Sequence, residues 1–467
     1  MLHVLFAVCA AASFERVSNM NNLVGAYPVD GPGTNSSGNI SVWLGLTDSV
    51  GGCEGLCGSQ SDCRSYTWCD SGCRGGYDKS CYKRVDTAWC SAAAAPCRES
   101  DHTSGRKLPV ANCTGGDEAG CSLNGVCNNR GHCDCDPAWR GPTCGQLDLL
   151  PLQNNSGIYK DPVLRSWGGS LWQDDPNAGA GSSSWTLFVN EVSGGCGLYD
   201  WDPSSQVVRL TSPSLAVPFA RQGVVLPPFS SNPTVRRAAD GTWLLFYIAD
   251  RHPPGLPSPP HCNSSWPKQA VAAADRIYMA TAASLQGPWT PSAEPVLTGS
   301  RYTGAPASAW DYHRTNPAPV VLPNGTVLLY FRGTPGNVYG ERMGLAVAPG
   351  YGQPFVPLAE PLISDFNEDP FVFRDRRGHF HALLHGSYCE CGTHYFSADG
   401  LRWAKSAGNA YDNRVEWEGG GSTVLVRRER PQLHFEADGR PTHLLTGAVD
   451  QGRPSGESYT LLQRLGP

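Results

Sequence analysis

Runs of apolar residues, separated by short polar turns, repeat along the C-terminal two thirds of the chain. In the clearest unit, residues 367–386, polar residues and Pro370 lead into an apolar run. A turn ending at Gly378 and a second apolar run follow. The same order recurs in units that begin at Asn232, Asn316 and Arg430, and more loosely at Asp161. Five copies of one unit form an internal repeat, which governs how the rest of the sequence is interpreted.

Each unit has the features of a β-hairpin that starts with proline. Asn-Gly or Asp-Gly between apolar runs is a strong hairpin signal, as at Asn324-Gly325 and Asp438-Gly439. Proline lacks an N–H donor and therefore suits the first residue of a strand. Apolar segments such as Ile277–Ala282 and Met343–Val347 predict a third strand after the hairpin. The pattern predicts an all-β fold, a five-bladed β-propeller.

Composition excludes several classes of function. The 467 residues exceed one ordinary domain, and only 17% of them are charged. A net charge of -6 without basic clusters argues against nucleic acid as a partner. No apolar run approaches the roughly 18 residues that a membrane span needs. We also find no phosphate-binding loop, nucleophile triad or metal-ligand cluster, and we predict no cofactor and no metal.

The chain has 19 cysteines, which indicates an oxidising compartment. Residues 1–15 resemble a signal peptide, and removing them with Cys9 would leave an even number of cysteines. Residues 16–39 predict an irregular linker. Potential N-glycosylation sites occur at Asn35, Asn39, Asn112, Asn154, Asn263 and Asn324. These features predict a secreted or cell-surface glycoprotein.

Residues 40–106 combine closely spaced cysteines with the segments Cys63–Trp68 and Cys81–Arg84. This region resembles the PAN/apple family, in which disulfides fasten a helix to a small twisted sheet. The resemblance implies binding of carbohydrate or of extracellular glycoproteins, without catalysis. A disulfide-linked spacer is the alternative.

Residues 113–145 contain six cysteines in the spacing C-x7-C-x5-C-x5-C-x-C-x8-C, namely Cys113, Cys121, Cys127, Cys133, Cys135 and Cys144. Together with the Asn124–Cys127 and Cys135–Gly141 segments, this spacing resembles an epidermal-growth-factor-like (EGF-like) module. The family implies first–third, second–fourth and fifth–sixth disulfides and a role as a rigid spacer. Val110-Ala111-Asn112 lacks the acidic pattern of the calcium-binding variants.

Residues 146–467 form the predicted propeller. The segments Trp167–Ser170, Glu368-Asp369-Pro370 and Arg428–Pro431 resemble five-bladed glycoside hydrolases of family 43 and their relatives, the arabinanases, xylosidases and invertase-type fructosidases. By that resemblance, Asp161 is the general base and Glu368 the general acid of an inverting glycosidase. Asn316 stands where the family has a third acid, and an amide cannot supply that charge.

The polar residue at the start of each unit is expected to face one central funnel; these residues are Asp161, Asn232, Asn316, Glu368 or Asp369, and Glu429. Opposed carboxylates in one pocket are what glycoside hydrolysis needs. Because strand residues alternate between faces, only one of Glu368 and Asp369 is expected to enter the funnel.

Further candidates for substrate binding are Trp167, as a platform for a sugar ring, and Arg332 and Arg428, as hydroxyl or carboxylate ligands. A core role for Trp167 and salt bridges to Glu368 or Glu429 for the arginines are the alternatives. Three functions therefore compete: a glycosidase acting on polysaccharide, a carbohydrate-binding or adhesion protein without catalysis, and a structural matrix protein.

Overall fold

The computed structural model describes the backbone of five short strands between residues 33 and 106 and most of the chain from residue 113 onward. In that second part the description omits residues 115, 154–157, 160, 162–163, 175–183, 250–275, 338–339, 366, 387–390 and 452–456. Residues 1–113 and 387–390 belong to one compact unit, and residues 114–386 and 391–467 belong to a second. Within the described ranges, no helix is both long and apolar enough to cross a membrane.

The first unit contains one antiparallel sheet of five strands. They are β1 (Gly33–Thr34), β2 (Ile40–Leu46), β3 (Ser65–Cys69), β4 (Ser80–Arg84) and β5 (His102–Arg106), in the spatial order β1-β2-β4-β3-β5. The side chains of this unit, the predicted leader and linker, and the helix expected of a PAN/apple-like module lie outside the described residues.

Residues 116–153 form a small disulfide-rich segment. Its elements are a 3-10 turn (Ala119–Cys121), β6 (Gly125–Cys127), β7 (Cys133–Cys135), β8 (Trp139–Arg140) and β9 (Gln146–Leu147). Disulfides join Cys121 to Cys133 and Cys135 to Cys144. Cys113 and Cys127 are also disulfide-bonded. A Cβ atom at Gly125 would lie 2.5 Å from the Asp134 carbonyl, so the tight β6–β7 pair requires glycine.

Five antiparallel sheets form the blades of a five-bladed propeller. The strand β10 (Ile158–Tyr159) precedes blade one. Blade one has β11 (Arg165–Gln173), β12 (Trp185–Val192), β13 (Ser205–Ser212) and β14 (Ala220–Leu226). Blade two has β15 (Ser230–Arg237), β16 (Trp243–Ala249), β17 (Arg276–Ala282), β18 (Thr290–Pro291) and β19 (Leu297–Thr298). Blade three has β20 (His313–Val321), β21 (Val327–Thr334), β22 (Arg342–Ala348) and β23 (Val356–Pro357).

Blade four has β24 (Asn367–Arg374), β25 (Phe380–Gly386), β26 (Gly392–Ser397) and β27 (Ala404–Tyr411). Blade five has β28 (Arg414–Glu416), β29 (Ser422–Phe435), β30 (Pro441–Asp450) and β31 (Tyr459–Arg464). Strand β10 pairs with β31 and becomes the last strand of blade five. A segment before blade one therefore completes the final blade and closes the ring. Among the described residues of the propeller, the helical elements are Leu198–Asp200, Trp201–Ser204 and Ser300–Thr303.

The predicted hairpins of blades two to five and the predicted third strands of blades two and three are confirmed. The β15–β16, β20–β21, β24–β25 and β29–β30 turns each place a glycine at positive φ, namely Gly241, Gly325, Gly378 and Gly439. The third strands β17 and β22 cover the segments predicted from the apolar runs. Glycine recurs at these turns because L-residues rarely adopt that backbone conformation.

The register of the first blade differs from the prediction. Its inner strand is β11, which begins at Arg165, so the Asp161–Leu164 segment comes before the blade instead of opening it. The second strand lies where it was predicted, at Trp185–Val192. Blade one has no proline inside its inner strand, and Asp161-Pro162 has the same polar-residue–proline order as the starts of the other units. The inner strand of blade one was misplaced for that reason.

All five inner strands carry the same β-bulge, at which two residues face one on the neighbouring strand. In four blades the first bulged residue has positive φ and precedes proline: Asn232 (60°), Asn316 (51°), Asp369 (52°) and Arg430 (60°). In blade one the bulge is Trp167-Gly168, and Gly168 has the positive φ, 66°. The repeat is therefore a repeat of backbone conformation as well as of sequence.

Apolar side chains fill the spaces between neighbouring blades. Phe246 and Ile248 of blade two pack with Leu329 and Phe331 of blade three. Leu171, Leu187 and Leu210 of blade one share a cluster with Leu445 and Leu462 of blade five. The cores of the propeller thus lie between sheets, which leaves the inner edges of the blades to define its axis.

Polar side chains fill the axis below the bulges. Arg236 of blade two donates hydrogen bonds to the carbonyls of Pro319 and Val372, at 2.8 and 3.4 Å. Gln432 of blade five donates to the Pro233 carbonyl at 3.1 Å. These bonds join the inner strands of four blades.

The disulfide-rich segment packs on the β24–β25 hairpin of blade four through polar contacts. Arg377 donates to Glu118 at 3.0 Å and to Asp136 at 2.5 Å. Behind them, the buried rings of His381 and His394 lie 3.1 Å apart between Nδ1 and Nε2, and Trp139 packs on His394 with ring centroids 4.7 Å apart. This segment is thus part of the same folded unit as the propeller.

Candidate functional site

A cavity of about 340 Å³ lies at the mouth of the central funnel. Every blade contributes to its walls. The described lining residues are Trp167, Asn190, Leu198, Tyr199, Trp201, Asn232, Asn316, Arg332, Glu368, Asp369, Arg427, Glu429 and Arg430. Of the predicted site residues, Glu368, Trp167, Asn232, Asn316, Arg332, Asp369 and Glu429 are brought together here.

The bulges explain why these polar residues share one cavity. Each bulge interrupts the alternation of its inner strand at the equivalent position of the repeat. Glu368 is the last paired residue before the bulge of blade four and Asp369 the first bulged residue, and both line the cavity. The expectation that only one of them enters the funnel was therefore wrong, because strict alternation ends at Asp369.

Two hydrogen bonds and one ion pair connect the bulged residues of blades two to five. The Asn232 amide donates to Asn316 Oδ1 at 3.2 Å, and the Asn316 amide donates to Asp369 Oδ1. Arg430 Nε lies 3.5 Å from the same oxygen of Asp369. All four side chains are buried. The chain of contacts fixes the orientation of both amides, since each is placed as a donor to the next residue.

Glu368 lies in a tight ion pair. Its Oε2 atom is 2.5 Å from Arg332 Nη1, and its Oε1 atom is 3.3 Å from His385 Nδ1. Burial alone would raise the pKa of Glu368, but the hydrogen bond from His385 and the charge of Arg332 outweigh it and hold the pKa well below its usual range. Glu368 is therefore ionised at neutral pH.

The neighbouring carboxyl group is shifted in the opposite direction. Burial raises the pKa of Asp369, and the negative charge of Glu368 adds to the increase, although Arg430 opposes both. Two adjacent carboxyl groups thus have pKa values moved apart by their surroundings. This arrangement can place one protonated and one ionised carboxyl group in the same pocket.

Blade five contributes a third carboxyl group to the cavity, and this group has an arginine of its own. Arg427 Nε donates to Glu429 Oε1 at 2.6 Å, and the Arg427 guanidinium lies over the Trp167 ring at 5.4 Å.

A Cβ atom at Gly447 would be 2.5 Å from the Trp167 indole, so this glycine makes room for the ring. Trp167 is only 6% exposed and packs with Leu198 and Val449. Its ring is largely covered, as expected for a core tryptophan.

The residues with the chemistry to hold a cation are Glu368, Asp369, His385 and Glu429. One ligand atom from each lies within 4.8 Å of the others. Carboxylate oxygens and imidazole suit several divalent metals. In this structure, however, Arg332, Arg427 and Arg430 already compensate the three carboxylates.

Two predicted site residues lie elsewhere. Asp161 is not among the described lining residues of the cavity; it precedes the inner strand of blade one, and its Oδ1 accepts the Leu164 N–H at 2.8 Å. Arg428 is completely buried, and it donates to the Asp412 carbonyl at 3.0 Å and to Gln463 Oε1 at 2.7 Å. Arg428 points away because residues of a strand alternate between its two faces, and its neighbours Arg427 and Glu429 face the cavity. Its assignment to substrate binding is corrected accordingly.

Sequence reasoning missed several lining residues. Asn190 lies on the second strand of blade one, while Tyr199 and Trp201 lie between its second and third strands. Arg427 and Arg430 come from the same stretch as the predicted Glu429. Only Arg430 had an available signal, since it precedes a proline in the same place as Asn232 and Asn316. The loop residues carry no comparable pattern.

A prediction follows for Asn316, which stands in place of the third acid. In Asn316→Asp a carboxylate would replace the amide that donates to Asp369. We expect a loss of about 2 kcal/mol in unfolding free energy at pH 7 and a smaller loss at pH 5, where the pair shares a proton. Denaturant unfolding at both pH values measures this. The control is Gln353→Glu, an exposed amide-to-acid change; equal losses in both variants at pH 7 would contradict the prediction.

The fold can now be compared with known proteins. No family model matches the chain. A 45-residue part, 9% of the chain, is 44% identical to disintegrin and metalloproteinase domain-containing protein 11 of Xenopus laevis, and it spans only 10% of that protein.

Among solved structures, the chain is similar to a family 117 glycoside hydrolase of the marine bacterium Zobellia galactanivorans, with 17% identity, TM-score 0.46, and coverage of 69% of this chain and 90% of that one. It is also similar to the family 62 α-L-arabinofuranosidase of Coprinopsis cinerea, with 13% identity and a TM-score of 0.44. The match covers 65% of this chain and 98% of that one. An exo-β-1,3-galactanase of Phanerochaete chrysosporium matches with 12% identity, TM-score 0.42, and 66% and 63% coverage. The chain is similar in fold to glycoside hydrolases.

Proposed function

We propose that the central cavity binds a saccharide. The observation that carries the proposal is the repeated bulge, which brings amide, carboxylate and guanidinium groups from four blades to one cavity. Sugar hydroxyls both donate and accept hydrogen bonds, and this lining offers both functions around one space. A concave site with a few convergent polar groups is the usual form of a small-molecule site.

The balance of charge favours a ligand without strong net charge. Glu368, Asp369 and Glu429 supply three carboxyl groups, and Arg332, Arg427 and Arg430 supply three guanidinium groups. Each acid has an arginine within 3.5 Å. A strongly anionic or cationic ligand would have to break these pairs, whereas a neutral saccharide can hydrogen-bond to the remaining donors and acceptors.

Hydrolysis is the second candidate, and one observation favours it. The opposite shifts in the pKa values of Glu368 and Asp369 are those that a base and an acid of glycoside hydrolysis need. The ionised state of Glu368 fits a base or nucleophile better than the general acid that the family resemblance assigns to it. Asp161 as general base remains a proposal that rests on the family resemblance alone.

The surroundings of the propeller support an extracellular role. The Cys121–Cys133 and Cys135–Cys144 disulfides are two of the pairings that an EGF-like module has. Disulfides persist in oxidising compartments. We propose a secreted or cell-surface protein in which an EGF-like module (113–145) and a PAN/apple-like module (40–106) precede the propeller (146–467). Polysaccharide of the extracellular matrix is the proposed partner, with extracellular glycoproteins as further partners of the N-terminal modules.

Turnover measurements distinguish binding from hydrolysis. Aryl glycosides and algal and plant cell-wall polysaccharides would be incubated with the full chain and with Glu368→Gln, Asp369→Asn and Asp161→Asn. Binding without turnover in all four proteins supports a carbohydrate-binding protein. Turnover abolished in Glu368→Gln and Asp369→Asn but retained in Asp161→Asn supports hydrolysis by the cavity pair. Turnover abolished in Asp161→Asn would restore the role that the resemblance assigns to this residue.

A further inference from the structure

One aromatic side chain of the cavity is unusually exposed. Tyr199 lines the cavity and is 69% exposed, the largest exposed fraction among the large hydrophobic residues that the structure describes. It lies in the 3-10 turn Leu198–Asp200, between the second and third strands of blade one. A single exposed aromatic residue needs no explanation by itself. Tyr199 differs from such a residue because it lies at a polar cavity, on a turn that buried residues hold in place.

The turn that carries Tyr199 is held in place by the buried residues that precede it. Gly194 and Gly195 adopt positive φ values of 71° and 70°, and Cys196 after them is buried and disulfide-bonded. Leu198 is 3% exposed and packs with Trp167 and Val449. Buried residues thus fix the backbone immediately before Tyr199, while its ring faces outward. A preorganised aromatic ring binds a ligand at a small cost in conformational entropy.

The aromatic residues that line the cavity all come from blade one. Trp167 is covered by Arg427, and Trp201 packs against two apolar clusters. Tyr199 is therefore the aromatic ring of the described lining with a face available to a ligand. The opposite walls, from blades two to five, carry the amides, carboxylates and guanidinium groups. The cavity thus has a polar interior and an aromatic rim on one side.

This asymmetry matches the two kinds of surface on a sugar chain. A sugar ring presents hydroxyls at its edge and C–H groups on its face, and tyrosine has an apolar face with a polar tip. We propose that Tyr199 stacks on a second sugar residue, outside the polar funnel that holds the first; this inference rests on the proposed saccharide site. The ligand is then an oligosaccharide or polysaccharide chain of at least two residues, and Tyr199 determines the preference for chain length.

Calorimetric titration of the full chain tests this inference. The probes are galactose, arabinose and xylose, each beside its β-1,3-galacto-, α-1,5-arabino- or β-1,4-xylo-trisaccharide. We expect the wild type to bind one trisaccharide at least about tenfold more tightly than its monosaccharide. Tyr199→Ala should reduce trisaccharide affinity about five- to tenfold and change monosaccharide affinity less than about twofold. Tyr199→Phe should bind like the wild type, because it keeps the ring face.

The control is Tyr302→Ala, which removes a 40% exposed tyrosine that does not line the cavity. If Tyr199→Ala binds the trisaccharide like the control while Glu368→Gln loses binding, the Tyr199 inference is wrong and the saccharide site stands. Equal losses for mono- and trisaccharide would also overturn it, because Tyr199 would then belong to the first site. If the wild type binds none of the six probes, the proposed saccharide site fails together with the inference.

Discussion

Arg332→Ala is expected to destabilise the propeller by about 3 kcal/mol and to abolish measurable saccharide binding. Arg332 forms the 2.5 Å pair with Glu368, approaches Glu341 at 3.7 Å and donates to Thr315 Oγ1 at 3.0 Å. Its removal would leave two largely buried carboxylates without their shared cation. Breaking a buried pair by deleting one partner typically costs 3–5 kcal/mol, and the 22% exposure of Arg332 places this case at the lower end.

Denaturant unfolding at pH 7 measures this loss, and calorimetry measures binding. The matched control is Arg402→Ala, which breaks an Arg–Asp pair of 2.8 Å whose arginine side chain is 92% exposed. Exposed pairs contribute about 0.2–1 kcal/mol, so the control should remain close to the wild type. Equal losses in the two variants would show that the Glu368 pair is not the structural centre of the site.

Acidification from pH 7 to pH 5 is expected to destabilise the second unit by several kcal/mol. Burial lowers the pKa values of His381 and His394 below the usual range, and it lowers those of His434 and His443 to about 3 and about 4. The unfolded chain takes up protons near pH 6.5 while the folded chain does not, so stability falls as the pH falls below that value. Each histidine that stays neutral at pH 5 contributes up to about 2 kcal/mol to this loss.

His381 and His394 are the most instructive pair, because they lie under the disulfide-rich segment. The titratable and charged groups that act on His381 are Asp375, His379 and Arg377 of the blade-four hairpin and Asp136 of the segment. Asp375 offsets part of the burial effect on His381. His394→Phe keeps an aromatic ring beside Trp139 and removes one titrating group. Its stability loss between pH 7 and pH 5 should be smaller than that of the wild type by up to about 2 kcal/mol.

Thermal or denaturant unfolding across this pH range provides the measurement. His132→Gln is the control, because His132 is an exposed histidine of the same disulfide-rich segment. It should show the wild-type dependence on pH. A stability that rises between pH 7 and pH 5, or a His394→Phe variant with the full wild-type loss, would contradict burial as the cause.

The fold could be predicted because its repeat is local. Proline, an apolar run and an Asn-Gly or Asp-Gly turn occupy consecutive positions, and four blades follow that order closely enough to fix their hairpins. Blade one lacks the proline in its inner strand, so the nearest Asp-Pro pair was assigned to the wrong place. The convergence of Asn232, Asn316, Glu368, Asp369 and Glu429 followed from the same repeat.

The rest of the site depends on contacts that sequence order does not show. The bulge turns two neighbouring carboxyl groups toward one cavity, and strand alternation predicts the opposite. Arg427 and Arg428 point to opposite faces of β29, but sequence order does not show that Arg427 faces the cavity and that Arg428 is buried against Gln463. Tyr199 reaches the cavity from a turn whose position is set by a disulfide and by packing against blade five. These features arise from tertiary geometry.

The most direct test of the account is calorimetric titration of the full chain and of Glu368→Gln with the saccharide that the wild type binds best. This substitution keeps the shape of the side chain and removes its charge, and Glu360→Gln provides the same change at an exposed site outside the cavity. We predict that Glu368→Gln loses about ten- to one-hundredfold in affinity, as expected for hydrogen bonds to a charged group, while Glu360→Gln binds like the wild type. Equal affinity of the two variants, or no binding by the wild type, would contradict the central cavity as a saccharide site.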